Sequence, residues 1–330
     1  MEKLPLTVAC GDYDRTHALQ TGAVEAEGIR INYLPLEAEE IFWRMGHHKE
    51  FDVSEMSLSN HVTAISRDHS PFVAIPVFPS RFFRHSCIFV NNDSGIKAPA
   101  DFKGKKVGAP EYSITAAVWI RGFLHDDHAV RAQDVHWFVG GQEDPGRKER
   151  VKLALPPEIR LDAIPDDKTL NGMLESGEID ALISARSPSC FVKGSPKVRR
   201  LFPNYKEVEI EYYKRTKIFP IMHVLVIRKE VYEKNPWVAR SLYKAFCAAK
   251  DRAIKNMHIS NTLACTLPWL AWEREQVKEI FGPDWWPYGI EPNRRVLETL
   301  IRYMEEQGLL ARPLKIEEIF APNVLGEFKI

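Results

Sequence analysis

The sequence predicts an α/β fold of two lobes with a helical C-terminal part. Short apolar strands alternate with helices in the first third of the chain, which is the order that builds a parallel sheet covered by helices. A second α/β unit follows the polar turn cluster at residues 91–95, and an apolar strand at residues 218–227 would return the chain to the first unit. A chain of 330 residues also exceeds what one hydrophobic core usually supports.

Lobe 1 is expected to contain a parallel sheet built by the N-terminal part of the chain. Its strands are predicted at residues 6–9, 29–34, 51–53 and 72–78, and its helices at residues 16–26 and 39–48. Prolines at positions 71, 76 and 79 mark the fourth strand as an edge or a change of direction.

Lobe 2 centres on a strand, a turn and a helix between Gly104 and Phe123. Residues 106–109 form the strand, and Ser113 can cap a helix whose apolar residues share one buried face. A helix start exposes free backbone N–H groups and the positive end of the helix dipole, so this turn predicts a site for a carboxylate or a phosphate. An ordinary serine cap in one of several βα units is the alternative.

A second anion site is predicted after the strand at residues 179–183. This strand delivers residues 184–187 to its carboxyl end, where open α/β sheets bind their ligands. Arg186 is therefore an anion candidate, and a solvated surface arginine is the alternative.

The lobe boundaries are predicted from two crossings of the chain. Lobe 1 comprises residues 1–88 and 228–330, with the C-terminal helices, and lobe 2 comprises residues 89–227. The crossover strands open at residues 84–87 and 221–223. We expect them to line the floor of a ligand cleft between the lobes.

Composition and charge argue against several kinds of partner. The 45 basic and 45 acidic side chains cancel, so there is no reason to expect nucleic acid or an anionic membrane. No segment approaches the roughly 18 apolar residues of a membrane helix, and the N-terminus is too polar for a secretory signal. Five scattered cysteines without a CxxC pair indicate neither a disulfide framework nor a zinc ribbon. We therefore expect a cytoplasmic protein, and nothing in the sequence argues against a homo-oligomer.

Several segments resemble known families. DFKGKKVGAPE and LESGEIDALI are similar to the second lobe of the type II periplasmic-binding-protein fold. Six segments between residues 9 and 309 resemble the 4,5-dihydroxyphthalate decarboxylases: ACGDYDRT, FDVSEMSLSNH, PVFPSRFFRHSCIFVN, VGAPEYSITAAVWIRG, KNPWVARSLYKAF and WWPYGIEPNRRVLETLIRYMEEQGL. The resemblance implies a type II periplasmic-binding-protein-like fold with two crossover strands. It also implies a carboxy-lyase that converts 4,5-dihydroxyphthalate to protocatechuate.

Two other functions are compatible with the same fold. A non-catalytic solute-binding protein for an organic acid would bind without turnover, and its expected export signal is not seen in this sequence. An enzyme similar to the thiamine-pyrimidine synthases would need an iron site and a phosphate-sized cavity. The absence of a cysteine cluster argues mildly against this second alternative.

Decarboxylation of such a ring requires a proton donor. Direct loss of CO2 would leave an unstable aryl carbanion, whereas protonation of the ring carbon beforehand avoids it. A hydroxyl para to the departing carboxylate pushes electrons to that carbon, more strongly once a base has removed its proton. An acid, a base and a cationic clamp on the retained carboxylate then suffice. No organic cofactor is expected, and a divalent metal is compatible with the chemistry but not demanded by it.

Four residues are candidates for the acid and the base. His85 and His223 open the two crossings, and imidazole can supply or accept a proton near neutral pH. Glu55 ends the third strand and Glu111 lies beside the predicted anion site, so both are candidate acceptors of phenol protons. Alternatively, the histidines and a glutamate hold a metal, either histidine only forms a hydrogen bond across the hinge, or Glu111 is an ordinary first-turn acid.

Arginine is the expected clamp for a substrate carboxylate, because its planar fork donates two parallel hydrogen bonds. The candidate clamp residues are Arg15, Arg81, Arg84 and Arg186. The other predicted substrate-binding residues are Asp12, Ser57, Tyr112, Ser113 and Thr115.

Overall fold

The structure is a computed structural model that describes residues 2–259 and 261–326, and its chain forms two compact units. Unit 1 comprises Met1–Arg81, Ile221–Leu297 and Leu314–Ile330, and unit 2 comprises Phe82–Pro220 and Glu298–Pro313. The predicted crossings at residues 88 and 228 thus lie seven residues later than the observed divisions. Residues 298–313, which were predicted in lobe 1, belong to unit 2. Residues 1, 260 and 327–330 of predicted lobe 1 lie outside the described residues, and the cleft between the lobes stays a prediction.

Strands and helices alternate along the described residues. The strands are β1 (Leu4–Cys10), β2 (Ile29–Pro35), β3 (Val53–Ser57), β4 (Phe72–Ile75), β5 (Ile88–Asn91), β6 (Lys106–Ala109), β7 (His136–Val139), β8 (Arg160–Ala163), β9 (Ala181–Ile183), β10 (Val198–Arg200) and β11 (His223–Arg228). The α-helices are α1 (Asp14–Gln20), α2 (Ala38–His48), α3 (Leu58–Ser66), α4 (Thr115–His128), α5 (Leu170–Ser176), α6 (Ser189–Val192), α7 (Tyr205–Thr216), α8 (Lys229–Lys234), α9 (Trp237–Asn256), α10 (Leu270–Phe281) and α11 (Arg294–Glu306).

Unit 1 is built on a five-stranded sheet with the order β2-β1-β3-β11-β4. β1 runs parallel to β2 and β3, and β11 runs antiparallel between β3 and β4. Three of the four strands predicted in lobe 1 are confirmed as β1, β2 and β4, but β4 ends at Ile75 because Pro76 has no N–H to continue the ladder. The strand predicted at residues 51–53 lies later in the chain, as β3 at Val53–Ser57. The helix predicted at residues 16–26 ends at Gln20, close to Gly22, which has a φ of 72°.

Unit 2 is built on a six-stranded sheet with the order β10-β5-β9-β6-β7-β8. β6 runs parallel to β7 and β9, whereas β5 runs antiparallel to β9 and β10. The strand predicted at residues 106–109 is confirmed as β6. The segment that was expected to open the first crossover strand is instead a 3-10 helix at His85–Cys87, and the strand begins at Ile88.

Helix α4 is buried on all sides of its first ten residues, so the prediction of one buried face is wrong. Part of the surface that covers α4 comes from α11, whose Tyr303 ring packs directly against Gly122 of α4. A Cβ at Gly122 would stand 2.0 Å from a Tyr303 ring carbon, so only glycine permits this approach. The N-cap is Ile114, not Ser113, and the Ser113 hydroxyl is used elsewhere.

No helix among the described residues is both long enough and apolar enough to cross a membrane.

Candidate active site

Glu55, the middle residue of β3 and not its end as predicted, forms a hydrogen-bonded pair with His223, the first residue of β11. In the antiparallel register His223 stands opposite Ser57, and Leu225 stands opposite Glu55. The His223 Nδ1 lies 2.5 Å from a Glu55 carboxylate oxygen, and the two side chains are 18% and 0% exposed. The pair therefore joins a carboxylate without solvent contact to an imidazole that solvent can reach.

The Glu55 carboxylate is held by three further donors. Its Oε2 accepts the Gly11 N–H at 2.9 Å and the Cys10 thiol at 3.4 Å, and its Oε1 accepts the Tyr13 hydroxyl at 2.8 Å. Burial alone would raise the pKa of Glu55, but the charge and hydrogen bond of His223, with the Gly11 and Tyr13 donors, hold this pKa below its ordinary value. Glu55 is therefore an ionised acceptor at neutral pH.

This ionised carboxylate fixes the tautomer of His223. A carboxylate accepts and cannot donate, so Nδ1 carries the proton. Within the described part of the chain, Nε2 makes no hydrogen bond, and the edge of the Phe42 ring packs against the imidazole at 4.9 Å between centroids. Nε2 is thus the nitrogen that can exchange a proton with a ligand.

Arg15 contacts Tyr13, whose hydroxyl donates to Glu55 of this pair. Its guanidinium stacks on the Tyr13 ring at 4.0 Å and on the Trp286 ring at 4.3 Å. Nε donates to the Pro79 carbonyl at 2.6 Å and Nη1 to Asp14 at 3.1 Å, while Nη2 has no hydrogen bond to a described residue. Arg15 is therefore the predicted clamp residue that the structure brings to Glu55 and His223.

The other predicted residues of unit 1 differ in their surroundings. Ser57 is buried and its hydroxyl lies 3.4 Å from that of Ser59, whereas Asp12 is exposed. The Arg81 guanidinium is buried and donates to the Pro287 carbonyl at 2.7 Å and to Asn293. Arg81 thus holds the turn that precedes α11, which argues against its predicted role as a clamp.

Glu111 belongs to a buried ion group of unit 2. Its carboxylate is 0% exposed and accepts two hydrogen bonds from Arg147, at 2.9 and 2.6 Å. Arg150 adds its Nε at 3.0 Å and its backbone N–H at 3.3 Å. Both oxygens of the predicted phenol base are therefore occupied. The sequence-based prediction missed both arginines, whose only local signal is the charged run RKER at residues 147–150.

The predicted anion site before α4 is filled by a carboxylate of the chain itself. Glu149 accepts the N–H groups of Tyr112 at 2.6 Å and Ser113 at 3.1 Å, and it accepts the Ser113 hydroxyl. Thr115 is buried as the first residue of α4. The Tyr112 side chain points into the core, where its hydroxyl donates to the Gln307 carbonyl at 3.2 Å, so only its N–H serves the site.

The remaining predicted arginines make local contacts in unit 2. Arg84 is buried, and its Nη1 lies 3.6 Å from the Cys87 thiol and 3.4 Å from the Ala185 carbonyl. Arg186 is exposed just after β9, at the carboxyl end of that strand as predicted, and its N–H donates to the Ser184 hydroxyl at 3.1 Å.

His85 lies in an aromatic cluster of unit 2. Its ring stacks on Phe123 at 4.1 Å and meets the edge of Tyr212 at 5.1 Å. Burial lowers the pKa of His85 to about 3, and the nearby His128 and Arg215 charges act in the same direction. His85 is therefore neutral at physiological pH, which argues against its predicted role as the proton donor.

The potential metal ligands are grouped elsewhere. Among the described residues, His125, Asp126 and Glu306 form the one group of three whose ligand atoms lie within 4.8 Å of one another. The Arg302 guanidinium already pairs with Asp126 and Glu306 at 2.6 and 2.8 Å. This group contains none of the predicted catalytic residues, and a metal requirement stays untested.

The chain is closely similar to two curated decarboxylases. It is 40% identical over 330 residues to the 4,5-dihydroxyphthalate decarboxylase of Comamonas testosteroni, and the match covers 100% of both chains. It belongs to the 4,5-dihydroxyphthalate decarboxylase family. The family member from Pseudomonas putida is 44% identical over 214 residues, which are 65% of this chain and 83% of that protein. The family resemblance stated from sequence segments is thus confirmed, while no family model matches the chain.

Solved structures confirm the predicted fold class of this decarboxylase-family chain. The match to the periplasmic aliphatic sulphonate binding protein SsuA from Escherichia coli spans 98% of this chain and 99% of that protein, with a TM-score of 0.54 and 13% identity. The alkanesulfonate-binding protein SsuA from Xanthomonas axonopodis pv. citri matches 98% of both chains with a TM-score of 0.52 and 12% identity. At these identities the likeness concerns the fold alone.

Proposed function

We propose that this protein is a carboxy-lyase that converts 4,5-dihydroxyphthalate to protocatechuate and CO2. Both curated relatives bear the name of that enzyme. The observation that carries the proposal is the Glu55–His223 pair, in which a buried carboxylate orients an imidazole that solvent can reach. The reaction needs a proton donor of this kind, because it replaces a carboxylate on the ring by a hydrogen.

His223 is the proposed proton donor. In its protonated form, Nε2–H delivers a proton to the ring carbon that bears the departing carboxylate, and the para hydroxyl supplies the electron pair. The bond to the carboxylate then breaks, its electrons restore the aromatic ring, and CO2 leaves. Imidazole is suited to this step because its ordinary pKa lies near neutral pH.

Glu55 is the proposed positioning residue for His223. The carboxylate of Glu55 accepts the Nδ1–H of His223, and this hydrogen bond fixes the orientation of the ring and the direction of Nε2. Because Glu55 is fully buried and surrounded by donors, we do not place it at the phenol of the substrate. Its role in the reaction is exerted through His223.

Arg15 is the proposed clamp for the retained carboxylate in unit 1. Its guanidinium stacks between two aromatic rings, an arrangement that limits its motion while its Nη2 donors stay available. A fixed cation binds a carboxylate at a smaller entropic cost than a flexible one.

The proposed compartment is the cytoplasm. All five cysteines are free thiols and four of them are buried, a pattern typical of proteins from reducing compartments. Cell fractionation with an antibody against the chain tests this assignment, and recovery in an extracytoplasmic fraction would contradict it. Light scattering of the purified protein decides between a monomer and a homo-oligomer.

The activity is tested with purified protein and 4,5-dihydroxyphthalate, with and without a chelator. We expect equal molar amounts of CO2 and protocatechuate, and the chelator decides whether a metal contributes. Binding without conversion would instead favour a solute-binding protein.

Replacement of His223 tests the proton donor. His223→Asn should lower kcat by about 10²- to 10⁴-fold, the range that general acid catalysis supplies. His69→Asn is the matched control, because His69 is an exposed histidine of unit 1. A folded His223→Asn protein with full activity would remove His223 from the mechanism.

A further inference from the structure

Arg15 and Trp286 are both held on one short segment of unit 1. The Trp286 indole Nε1 donates to the Phe78 carbonyl at 3.0 Å, and the Arg15 Nε donates to the neighbouring Pro79 carbonyl at 2.6 Å. In this arrangement the indole lies on the guanidinium, with 4.3 Å between the guanidinium carbon and the ring centroid. A residue that is far away in the sequence therefore fixes the proposed clamp from one side.

The guanidinium of Arg15 is left open along its edge. The Tyr13 ring covers its other face, with 4.0 Å between the guanidinium carbon and the ring centroid. Nε donates to Pro79 and Nη1 donates to Asp14 at 3.1 Å, whereas Nη2 has no hydrogen bond to a described residue. The Arg15 side chain is still 16% exposed. A ligand therefore reaches Arg15 in the plane of the guanidinium, at the end where Nη2 lies.

The two covering rings have no hydrogen-bond donor left for such a ligand. The one donor of the indole, Nε1, is used by the Phe78 carbonyl, and the Tyr13 hydroxyl donates to Glu55 at 2.8 Å. Above and below the guanidinium plane a ligand atom thus meets aromatic carbon. An acceptor placed there without a hydrogen bond weakens binding by its cost of desolvation.

This arrangement distinguishes between two common organic anions. A carboxylate is planar, so both of its oxygens can lie in the guanidinium plane and accept hydrogen bonds there. A sulfonate is tetrahedral. When two of its oxygens lie in the guanidinium plane, the third one stands out of the plane, towards one of the two rings.

We propose that Tyr13, Arg15 and Trp286 form a slot that selects a planar carboxylate over a tetrahedral sulfonate. Trp286 acts through Arg15, so it is a positioning residue that determines specificity. This inference rests on the proposed function, because it takes the retained ring carboxylate as the ligand of Arg15.

Two ligands that differ in one group test the slot. Protocatechuate carries a single carboxylate, and 3,4-dihydroxybenzenesulfonate carries a sulfonate at the same ring position. We expect the wild-type protein to bind protocatechuate about 10-fold more tightly, measured by calorimetry, which is the effect of one acceptor left without a hydrogen bond. The measurement needs no turnover.

Trp286→Leu tests the positioning role. Loss of the indole lets the guanidinium turn towards an out-of-plane oxygen, so the preference for the carboxylate should fall to about threefold or less, through weaker binding of protocatechuate. Trp286→Phe keeps an aromatic face and should retain most of the preference. Trp285→Leu is the matched control, because Trp285 is the adjacent half-buried indole and its ring lies near His258, at 6.2 Å between centroids.

Arg15→Lys replaces Trp286→Leu if the latter protein does not fold. The lysine ammonium is a point charge without a plane, so this variant should bind the two ligands with nearly equal affinity. A preference for the carboxylate that survives in the folded Arg15→Lys protein would contradict the slot.

The possible results separate this inference from the proposed function. Equal binding of both ligands by the wild-type protein, or no binding of protocatechuate, would overturn the slot even in an active decarboxylase. An unchanged preference in a folded Trp286→Leu protein would overturn it too, as would an equal loss of preference in Trp285→Leu. A preference that depends on Trp286, in a protein that does not convert 4,5-dihydroxyphthalate, would support the slot and contradict the proposed function.

Discussion

His223 and His85 each lie beside a glutamate and an aromatic ring, but their distances to the carboxylate differ. His223 Nδ1 is 2.5 Å from Glu55, whereas His85 Nδ1 is 3.9 Å from Glu209. The pKa values of the two carboxylates are shifted in opposite directions. The pKa of Glu55 is lowered. Burial raises the pKa of Glu209 to about 7, although Ser86 and His85 donate hydrogen bonds to this carboxylate. A short hydrogen bond therefore accompanies an ionised carboxylate at Glu55, whereas burial favours the neutral forms of His85 and Glu209.

This difference shows why position on a crossing is a weak guide to chemistry. Burial disfavours the charged form of any ionisable group, and a hydrogen-bonded partner of opposite charge is one of the features that offset that cost. Glu55 and His223 have this partnership, and His223 also keeps some contact with solvent. His85 instead stacks on Phe123, so it contributes aromatic surface more than charge.

The largest effect is expected for Glu55→Gln, which removes the charge that distinguishes the two histidines. The amide can donate to Nδ1 and thereby favour the wrong tautomer of His223, so kcat/KM should fall about 10²- to 10⁴-fold, as for comparable catalytic dyads. The pH profile should change as well, since the imidazolium loses its counter-ion. A loss of activity with an unaltered pH profile would indicate a merely structural role.

The same variant predicts a change in the pH dependence of stability. Because the pKa of Glu55 is lowered in the folded protein, its stabilising contribution is complete above the ordinary value of 4.5 and is lost as the pH falls through the lowered pKa. Thermal melting should therefore show the largest deficit of Glu55→Gln near neutral pH and a smaller one in acid. A deficit that grows in acid would contradict the ionised state of Glu55.

Much of the fold was predictable because local patterns encode it. Apolar runs at residues 6–9 and 29–34 fold as β1 and β2, and the strand at residues 106–109 folds as β6. The segment at residues 84–87 was mispredicted as strand. Its residues pack into an aromatic cluster with α4 and α7, and such contacts from distant parts of the chain override local propensity.

The site was predictable as a set of candidates but not as a set of pairs. The sequence indicated Glu55 and His223 separately, as residues at strand ends. Their contact depends on the antiparallel register of β11 on β3, which joins residues 168 positions apart. Glu149 was missed because it lies in a segment without periodicity, although the donors that it binds were predicted from the start of α4.

Tyr13→Phe should have an intermediate effect, because it removes one of the four donors to Glu55 and leaves His223 in place. We expect kcat/KM to fall about 10-fold, in the range seen for outer-shell partners of reactive groups. The Tyr13 hydrogen bond helps to lower the pKa of Glu55, so its loss should raise that pKa. The contribution of Glu55 to stability at neutral pH should then be smaller, and its loss on acidification should be complete at a higher pH.

Tyr33→Phe is the matched control for this variant. The Tyr33 hydroxyl donates to the Gly11 carbonyl at 2.9 Å, so it stabilises the same turn without contacting the Glu55 carboxylate. Melting curves of both variants between pH 3 and pH 8 would separate the two roles. An equal shift of the acid transition in both would show that the turn, and not the bond to Glu55, controls the pKa.

The smallest effect on activity is expected for His85→Phe, which sharpens the contrast between the two histidines. The new ring can keep the stack on Phe123, and the buried Nδ1, which lacks a hydrogen bond in the described chain, is removed. Activity should stay within about threefold of wild type, because the variant changes no group placed at the reaction.

The same variant should change the pH dependence of stability. The pKa of His85 is depressed to about 3 in the folded protein, so the unfolded chain binds the proton first and wild-type stability falls as the pH drops from about 6.5 towards 3. His85→Phe should lose less stability over this interval in melting experiments. If it instead folds normally and loses activity as severely as His223→Asn, then His85 does take part in the reaction and the contrast between the two histidines fails.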